Sequence, residues 1–258
     1  MDSGGILEQL DRERRTLARD DEIIEVLPEV TRLRPADGAF HAVVFSALAE
    51  ATADAAIARQ VGHYRCLGAP FEWKVYSHDR PSDLLDRLAR QGFRIEPIET
   101  VLVLDLAAPP RWVGESPPCE VVRVQTAGHV RLFRDAAAEI FSKDYDVTAG
   151  QLQRAIDAGS RQHVAYLAMM GGVAAAVGRL YTHSGSVFGG LYGGGTRPSF
   201  RGRGLYRALI AARARAALAS GARYLIVDAL PTSRPILERV GFTRVADTWP
   251  CTWTPPTA

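Results

Sequence analysis

The sequence predicts an α/β protein in two halves, the second built on a sheet of mixed strand direction. Three observations carry that expectation. Residues 119–258 alternate short apolar runs of strand type with runs of helix type. A Pro-rich stretch, Ala107-Ala-Pro-Pro-Arg-Trp-Val-Gly-Glu-Ser-Pro-Pro118, interrupts the chain near its middle, disfavours helix and reads as an extended linker. The order strand, helix, Gly-Phe, strand occurs once in each half. The expected division is therefore an N-terminal half over residues 1–110, a linker at 111–118 and a C-terminal half at 119–258.

The elements of the second half follow in order. Glu120–Val124 is a strand. Helices are expected over Thr126–Phe141 and Thr148–Ala158, with Thr126 and Thr148 as N-caps. Val164–Met169 and Val173–Tyr181 form two strands around a Gly171-Gly172 turn. Ser186–Thr196 is a third, glycine-rich strand. The helix Leu205–Ser220 carries Leu205, Leu209, Ala212 and Ala216 on one face, places Arg207, Arg213 and Arg215 mainly elsewhere, and stops at Gly221. Tyr224–Asp228 has the composition of a buried strand. A short helix starts at Pro231-Thr-Ser233 and ends at Gly241-Phe242, and a last strand region runs into Trp249–Trp253.

The first half echoes this ending. Phe71–Tyr76 is strand-like, Asp83–Phe93 is a helix closing in Gly-Phe, and Ile98–Leu106 is again a strand. A repeat and a recurrent αβ connection both account for the echo. Upstream, Ala39–Val61 is expected to be mostly alanine-rich helix, with a further charged helical segment before Pro35.

Composition bounds the function. Apolar residues make up 47% and charged residues 23%, with a net charge of +2. No global field or basic stripe with interleaved aromatics points to nucleic acid. No apolar run is long enough to span a bilayer, and the charged N-terminus lacks a signal-peptide core. Cys66, Cys119 and Cys251 are scattered and form neither a disulfide framework nor a metal-binding spacing. A cytoplasmic protein without a metal is the expectation.

The richest segment is Thr196-Arg-Pro-Ser-Phe-Arg-Gly-Arg-Gly-Leu-Tyr-Arg207, between the glycine-rich strand and the alanine-rich helix. Glycines there let backbone N–H groups converge, and the first amides of a helix favour negative charge. Arg197, Arg201, Arg203 and Arg207 add cations. A phosphate or pyrophosphate is the simplest ligand. A P-loop fits poorly, because Leu205-Tyr206 follows Gly204 where Lys-Ser/Thr is needed. A dinucleotide fingerprint lacks its third glycine.

The run resembles the acyl-CoA-binding segment of the GNAT superfamily of N-acyltransferases, whose signature is Arg/Gln-x-x-Gly-x-Gly/Ala after a strand. Here it reads Arg201-Gly-Arg-Gly204-Leu-Tyr206 with Pro198 in front, and Tyr206 departs from the usual Gly or Ala. Ile236-Leu-Glu-Arg-Val-Gly-Phe242 is similar to the family's helix–Gly-Phe ending. The likeness covers residues 119–258 in order and is specific over Thr196–Leu209 and Ile236–Phe242. It implies a mixed, mostly antiparallel sheet flanked by helices, with a second, smaller and degenerate GNAT-like half at the N-terminus.

The resemblance also implies an activity: transfer of an acetyl or other acyl group from acetyl-CoA, as cosubstrate, to the amine of a small-molecule or amino-acid-like acceptor by direct attack in a ternary complex. The pyrophosphate would sit on Arg201, Gly202, Arg203, Gly204, Leu205 and Tyr206. The pantetheine arm would pair along Gly194, Gly195 and Thr196, and Ser233 would border it. The family's usual carboxylate on the strand before the motif is missing from Ser186–Thr196. Asp228 is then the candidate base, ahead of His183, Glu139 and Asp144. The family's usual tyrosine acid falls at Leu237, so Tyr192 becomes the candidate acid, with Tyr206 near it in sequence. The acceptor would meet Phe141–Asp146, with Phe71-Glu-Trp-Lys74 of the first half as a further candidate segment. A monomer or homodimer is expected. A non-catalytic CoA-binding sensor and a nucleotide-binding α/β enzyme are the competing readings.

Overall fold

The computed structural model describes residues 3–18, 22–36, 38 and 40–256. The chain divides into two compact units, and the division does not follow chain order. Unit 1 contains Met1–Leu102, Asp228–Glu238 and Thr243–Ala258, and unit 2 contains Val103–Val227 and Arg239–Phe242.

The elements are α1 (Ser3–Thr16), β1 (Glu22–Val26), β2 (Val30–Pro35), β3 (Ala42–Ser46), α2 (Ala53–Leu67), β4 (Phe71–Tyr76), α3 (Leu84–Arg90), β5 (Arg94–Ile95), β6 (Glu99–Asp105), β7 (Glu120–Arg123), α4 (Ala127–Phe141), α5 (Asp146–Asp157), β8 (His163–Met170), β9 (Val173–Thr182), β10 (Phe188–Thr196), α6 (Leu205–Ala219), β11 (Tyr224–Ala229), α7 (Arg234–Arg239) and β12 (Thr243–Trp253).

In unit 1 the strand order is β1-β2-β3-β4-β12, with β5 also on β12. β3 and β4 are parallel, and the other pairs are antiparallel. The last strand of the chain thus completes the N-terminal unit, where Thr248–Trp253 run against Phe71–Tyr76. Its core gathers Ile57, Tyr64, Phe71, Trp73, Phe93 and Trp253. In unit 2 the order is β11-β10-β9-β8-β7, antiparallel except for β10 with β11. The helices α4 and α5 cover one face, where Phe133, Ala137 and Leu152 meet Ala165, Leu167 and Val177. On the other face Leu205 and Leu209 of α6 meet Ala168, Ala175 and Ala176.

The two halves of the chain repeat one internal order of elements. An antiparallel meander (β1-β2-β3 or β8-β9-β10) leads through a helix (α2 or α6) to a strand parallel to the meander's last one. A short helix (α3 or α7) and a further strand follow. The turns before the two long helices differ. Ala47-Leu-Ala-Glu-Ala-Thr52 has no glycine and carries Glu50, whereas its counterpart holds Gly202 and Gly204.

Several local expectations are corrected. Ala39–Val61 is not mostly helix: Ala42-Val-Val-Phe-Ser46 is a strand, because a β-branched and aromatic run overrides its alanine flanks. Before Pro35, α1 is followed by the β1–β2 hairpin rather than by more helix; residues 1, 2 and 19–21 of that segment lie outside the described residues. The Pro-rich stretch is anchored rather than extended. Arg111–Val113 form a 3₁₀ turn, Trp112 Nε1 donates to the Val240 carbonyl at 3.2 Å, and Arg215 Nη1 donates to the Val113 carbonyl at 2.6 Å. Thr126 caps α4, its hydroxyl accepting from the His129 amide. Thr148 does not cap α5, which begins at Asp146, whose amide donates to Asp144 Oδ1 at 2.7 Å.

Candidate functional site

The site in unit 2 is built on β10 and the turn that follows it. β10 pairs in parallel with β11 over Phe188↔Tyr224 to Gly190↔Ile226. Beyond that point β10 keeps β9 as its neighbour, with a register shift between Tyr192 and Gly195. Gly193 has φ +51°, so the bulge rests on a backbone conformation that glycine adopts without strain.

Both faces of the bulge are crowded, which explains the glycines. A Cβ at residue 195 would stand 2.5 Å from Ile140 and 2.8 Å from Phe141 on the α4 side. One at residue 194 would meet Tyr206 at 3.0 Å on the α6 side. Phe141 stacks on Tyr145 at 5.6 Å, so the turn between α4 and α5 is closed by an aromatic pair above Gly195. Thr196 ends the strand with its hydroxyl buried and unpartnered.

The turn carries the predicted amides. Gly202 and Gly204 both have positive φ, +75° and +78°. Gly204 is the N-cap of α6, and its carbonyl takes the first helical bond from Ala208 at 3.0 Å. The amides of Leu205, Tyr206 and Arg207 therefore precede the helical ladder. Space at residue 202 is open, and Gly204 faces Pro118. A groove lined by Trp112, Glu115, Pro118, Arg207 and Ala211 flanks the turn.

The side chains behave differently from one another. Arg201 is exposed and its Nε donates to the Thr196 carbonyl at 3.3 Å. Arg203 donates to the Ser199 carbonyl and lies over the Phe200 ring at 5.5 Å. Leu205 is buried in the core, so only its backbone faces the turn. Tyr206 is lodged under Gly194, and burial raises its pKa against the opposing effect of Arg213.

Two arginines border the bulge. Arg213 is 1% exposed, contrary to the expectation that it would lie off the buried face of α6. Its guanidinium packs against Gly178, where a Cβ would stand 2.8 Å from Cζ. Its Nε donates to Leu209 O at 3.1 Å and Nη1 to Arg179 O at 3.3 Å, while Nη2 has no partner. Burial pushes its pKa down to about 10, with Tyr206 and Tyr166 opposing. Arg179 lies against Gly193. The spacing Leu205, Leu209, Arg213 is a run of i+4 steps, a signal by which the sequence could have put Arg213 on the buried stripe.

The two candidate catalytic residues differ in setting. Tyr192 sits at the start of the bulge, half exposed, with its ring edge-on to Tyr181 at 5.0 Å. Asp228 lies on β11, two residues past Ile226, and belongs to unit 1. There its Oδ2 is 3.0 Å from Lys74 Nζ, and Lys74 also meets Glu99 at 2.7 Å. Burial opposes the Lys74 charge, but Asp228, Tyr76 and Glu99 outweigh it and raise its pKa. Nothing in the sequence pattern linked Lys74 to Asp228. Ser233 is also in unit 1, with its hydroxyl donating to the Leu230 carbonyl at 3.1 Å. Leu237 is fully buried. Of the alternative bases, Glu139 pairs with Arg197 at 3.2 Å, and Asp144 receives the Asp146 amide.

No family model matches the chain, and no curated protein matches it by sequence. Solved structures do match. A GCN5-related N-acetyltransferase from Kribbella flavida aligns over 99% of this chain and 95% of its own, at 16% identity and a TM-score of 0.69. A tandem GNAT protein from the clavulanic acid biosynthesis pathway aligns over 94% and 86%, at 13% identity and a TM-score of 0.59. A putative GNAT acetyltransferase from Novosphingobium aromaticivorans aligns over 90% and 92%, at 16% identity and a TM-score of 0.56. The chain therefore has the mixed α/β fold of the GNAT N-acetyltransferases, with a largely antiparallel sheet flanked by helices. Among the described residues, no helix is long and apolar enough to cross a membrane.

Proposed function

We propose that this protein is an acyl-CoA-dependent N-acyltransferase that moves an acetyl group from acetyl-CoA to the amine of a small-molecule acceptor. One observation carries the reading: a glycine turn opening α6 follows directly on a strand, β10, that parts from β11 and bulges at three glycines. The turn offers unpaired helix-start amides for a diphosphate. The backbone of β10 beyond Gly190 offers hydrogen bonds to an extended pantetheine arm, as a strand edge does.

The acceptor nitrogen attacks the thioester carbonyl carbon, the C–S bond breaks, and the thiolate leaves with a proton. An amide of the Gly193–Gly195 segment would hold the carbonyl oxygen as charge builds on it, a contribution of about 3 kcal/mol for one preorganised donor. Tyr192 is the proposed acid for the thiolate; its half-exposed position at the bulge supports that role. Asp228 is the proposed base. Its carboxylate is held 3.0 Å from Lys74 Nζ, so it takes up the amine proton only in competition with that ion pair. Arg201 and Arg203 contribute positive charge around the turn, Leu205 and Tyr206 their amides. Thr196 ends the pantetheine strand.

A second reading, a non-catalytic CoA-binding protein, draws on the buried Leu237 and on the Lys74 partner of Asp228. Release of free CoA from acetyl-CoA in the presence of an amine panel separates the two. Amine-dependent release supports the transferase, and tight CoA binding without release supports the sensor.

A further inference from the structure

Two guanidinium groups flank the β10 bulge, one on each face. Arg213 belongs to the α6 face and is too buried to touch a ligand. Arg179 is the register partner of Tyr192 and shares its face, the one covered by α4 and α5. Its Nη1 donates to the Tyr181 hydroxyl at 3.1 Å. Its Nε is buried without a partner. Nε and Nη2 form one edge of the guanidinium fork, and both stand 3.4 Å from the place a Cβ at residue 193 would take. Glycine leaves that place empty. Among the described residues no carboxylate pairs with Arg179 or Arg213.

A half-buried guanidinium without a counter-ion and with its Nε sealed from solvent is costly, and its planar fork matches a carboxylate in two parallel hydrogen bonds. We infer that Arg179 recognises a carboxylate carried by one of the two reactants, seated on the α4 side of the bulge. This rests on the acyl-transfer reading, which brings the thioester to Gly193–Gly195. The carboxylate has two sources. It belongs to an amino-acid-like acceptor, or it ends the acyl chain of a dicarboxylic acyl thioester. A neutral amine joined to a plain acetyl group leaves Arg179 without its counter-ion. Arg213 adds a second positive charge that no side chain neutralises, so the field at the bulge favours an anion from both faces.

The test uses the full chain with wild type, Arg179→Met and Arg179→Lys, each checked by thermal melting and by calorimetry with acetyl-CoA. CoA release is measured with a panel of amino acids against their carboxamides, acetyl-CoA being the donor. It is measured again with succinyl-CoA against acetyl-CoA and one common acceptor. Wild type is expected to favour the charged member in one arm by about 10- to 100-fold in kcat/KM, mainly through KM. Arg179→Met reduces that ratio to about one, while acetyl-CoA affinity holds. If the Met variant does not melt like wild type, Arg179→Lys reads the same loss, because it keeps the charge and removes the fork. Preference in the first arm assigns the carboxylate to the acceptor, and in the second to the acyl chain. Equal kcat/KM for charged and neutral partners in both arms, or a preference that survives in both variants, overturns the inference and leaves acyl transfer standing. So does an absence of turnover combined with equal affinity for the two thioesters. Failure of wild type to bind acetyl-CoA removes the acyl-transfer reading, and this inference with it.

Discussion

Gly204→Asp separates a diphosphate-binding turn from a merely tight one. Gly204 has φ +78° and caps α6. Aspartate enters this left-handed region at a cost of about 1 kcal/mol. Its Cβ would meet Pro118 Cγ at 3.3 Å, a contact that a small shift of the proline ring relieves. The fold should therefore survive with a modest fall in melting temperature. The ligand should not. A carboxylate at this cap stands about 4 Å from a diphosphate on the Leu205 and Tyr206 amides, and each charge pair then costs about 1 kcal/mol under water-like screening and about 4 at an effective dielectric of 20. Two such pairs at a partly screened turn predict a loss of about 100-fold in CoA affinity. Gly204→Asn has the same shape without the charge and should lose far less. Calorimetry with CoA at low and high salt reads both variants, and the Asp penalty should shrink as salt rises. Affinity unchanged in Gly204→Asp, or lost equally in Asn and Asp at low salt, would refute a diphosphate at this turn.

Three further outcomes follow from the packing. Arg213→Met should leave stability unchanged or raise it by about 1–4 kcal/mol, since it removes a buried charge with no counter-ion. Leu209 O and Arg179 O lie in a helix and in a strand paired on both sides, so neither is orphaned; a loss above about 3 kcal/mol by urea unfolding would contradict this. Asp228→Asn should lower kcat by about 100-fold or more if Asp228 is the base, with CoA affinity held and Glu99 still on Lys74; a kcat within about twofold of wild type would remove Asp228 from proton transfer. The hydrogen bond to Asp11 raises the pKa of His78 above 6.5 in the folded state, against partial burial. Its stabilisation is therefore full below pH 6.5 and is lost as pH rises through the raised value. The urea stability gap between wild type and His78→Gln should be largest at acid pH and shrink upward, and a gap that grows with pH would contradict the assignment.

The second half was legible because its signals are local. A glycine-rich strand, a glycine turn and an apolar stripe at Leu205 and Leu209 each declare themselves within a few residues, and the structure has them over Phe188–Thr196 and Leu205–Ala219. What escaped depends on distance or on competing local preference. Ala42–Ser46 lies between alanine-rich flanks that favour helix, and its strand is settled by pairing with β2 and β4. The partnership of β12 with β4 joins residues from opposite halves of the chain, Thr248 with Tyr76 and Trp253 with Phe71, which no periodicity encodes. Asp228 was visible as a strand-end carboxylate, but Lys74 was not visible as its partner. Arg179 stood inside an apolar strand pattern, and only the space left by Gly193 gives its guanidinium meaning.

Calorimetric titration of the full chain with acetyl-CoA, with ATP and NAD as controls, bears most directly on the account. One acetyl-CoA site per chain, with ATP and NAD far weaker, is the predicted result. No binding of acetyl-CoA, or binding of ATP with equal affinity, would contradict the assignment of the Arg201–Tyr206 turn and the transferase reading built on it.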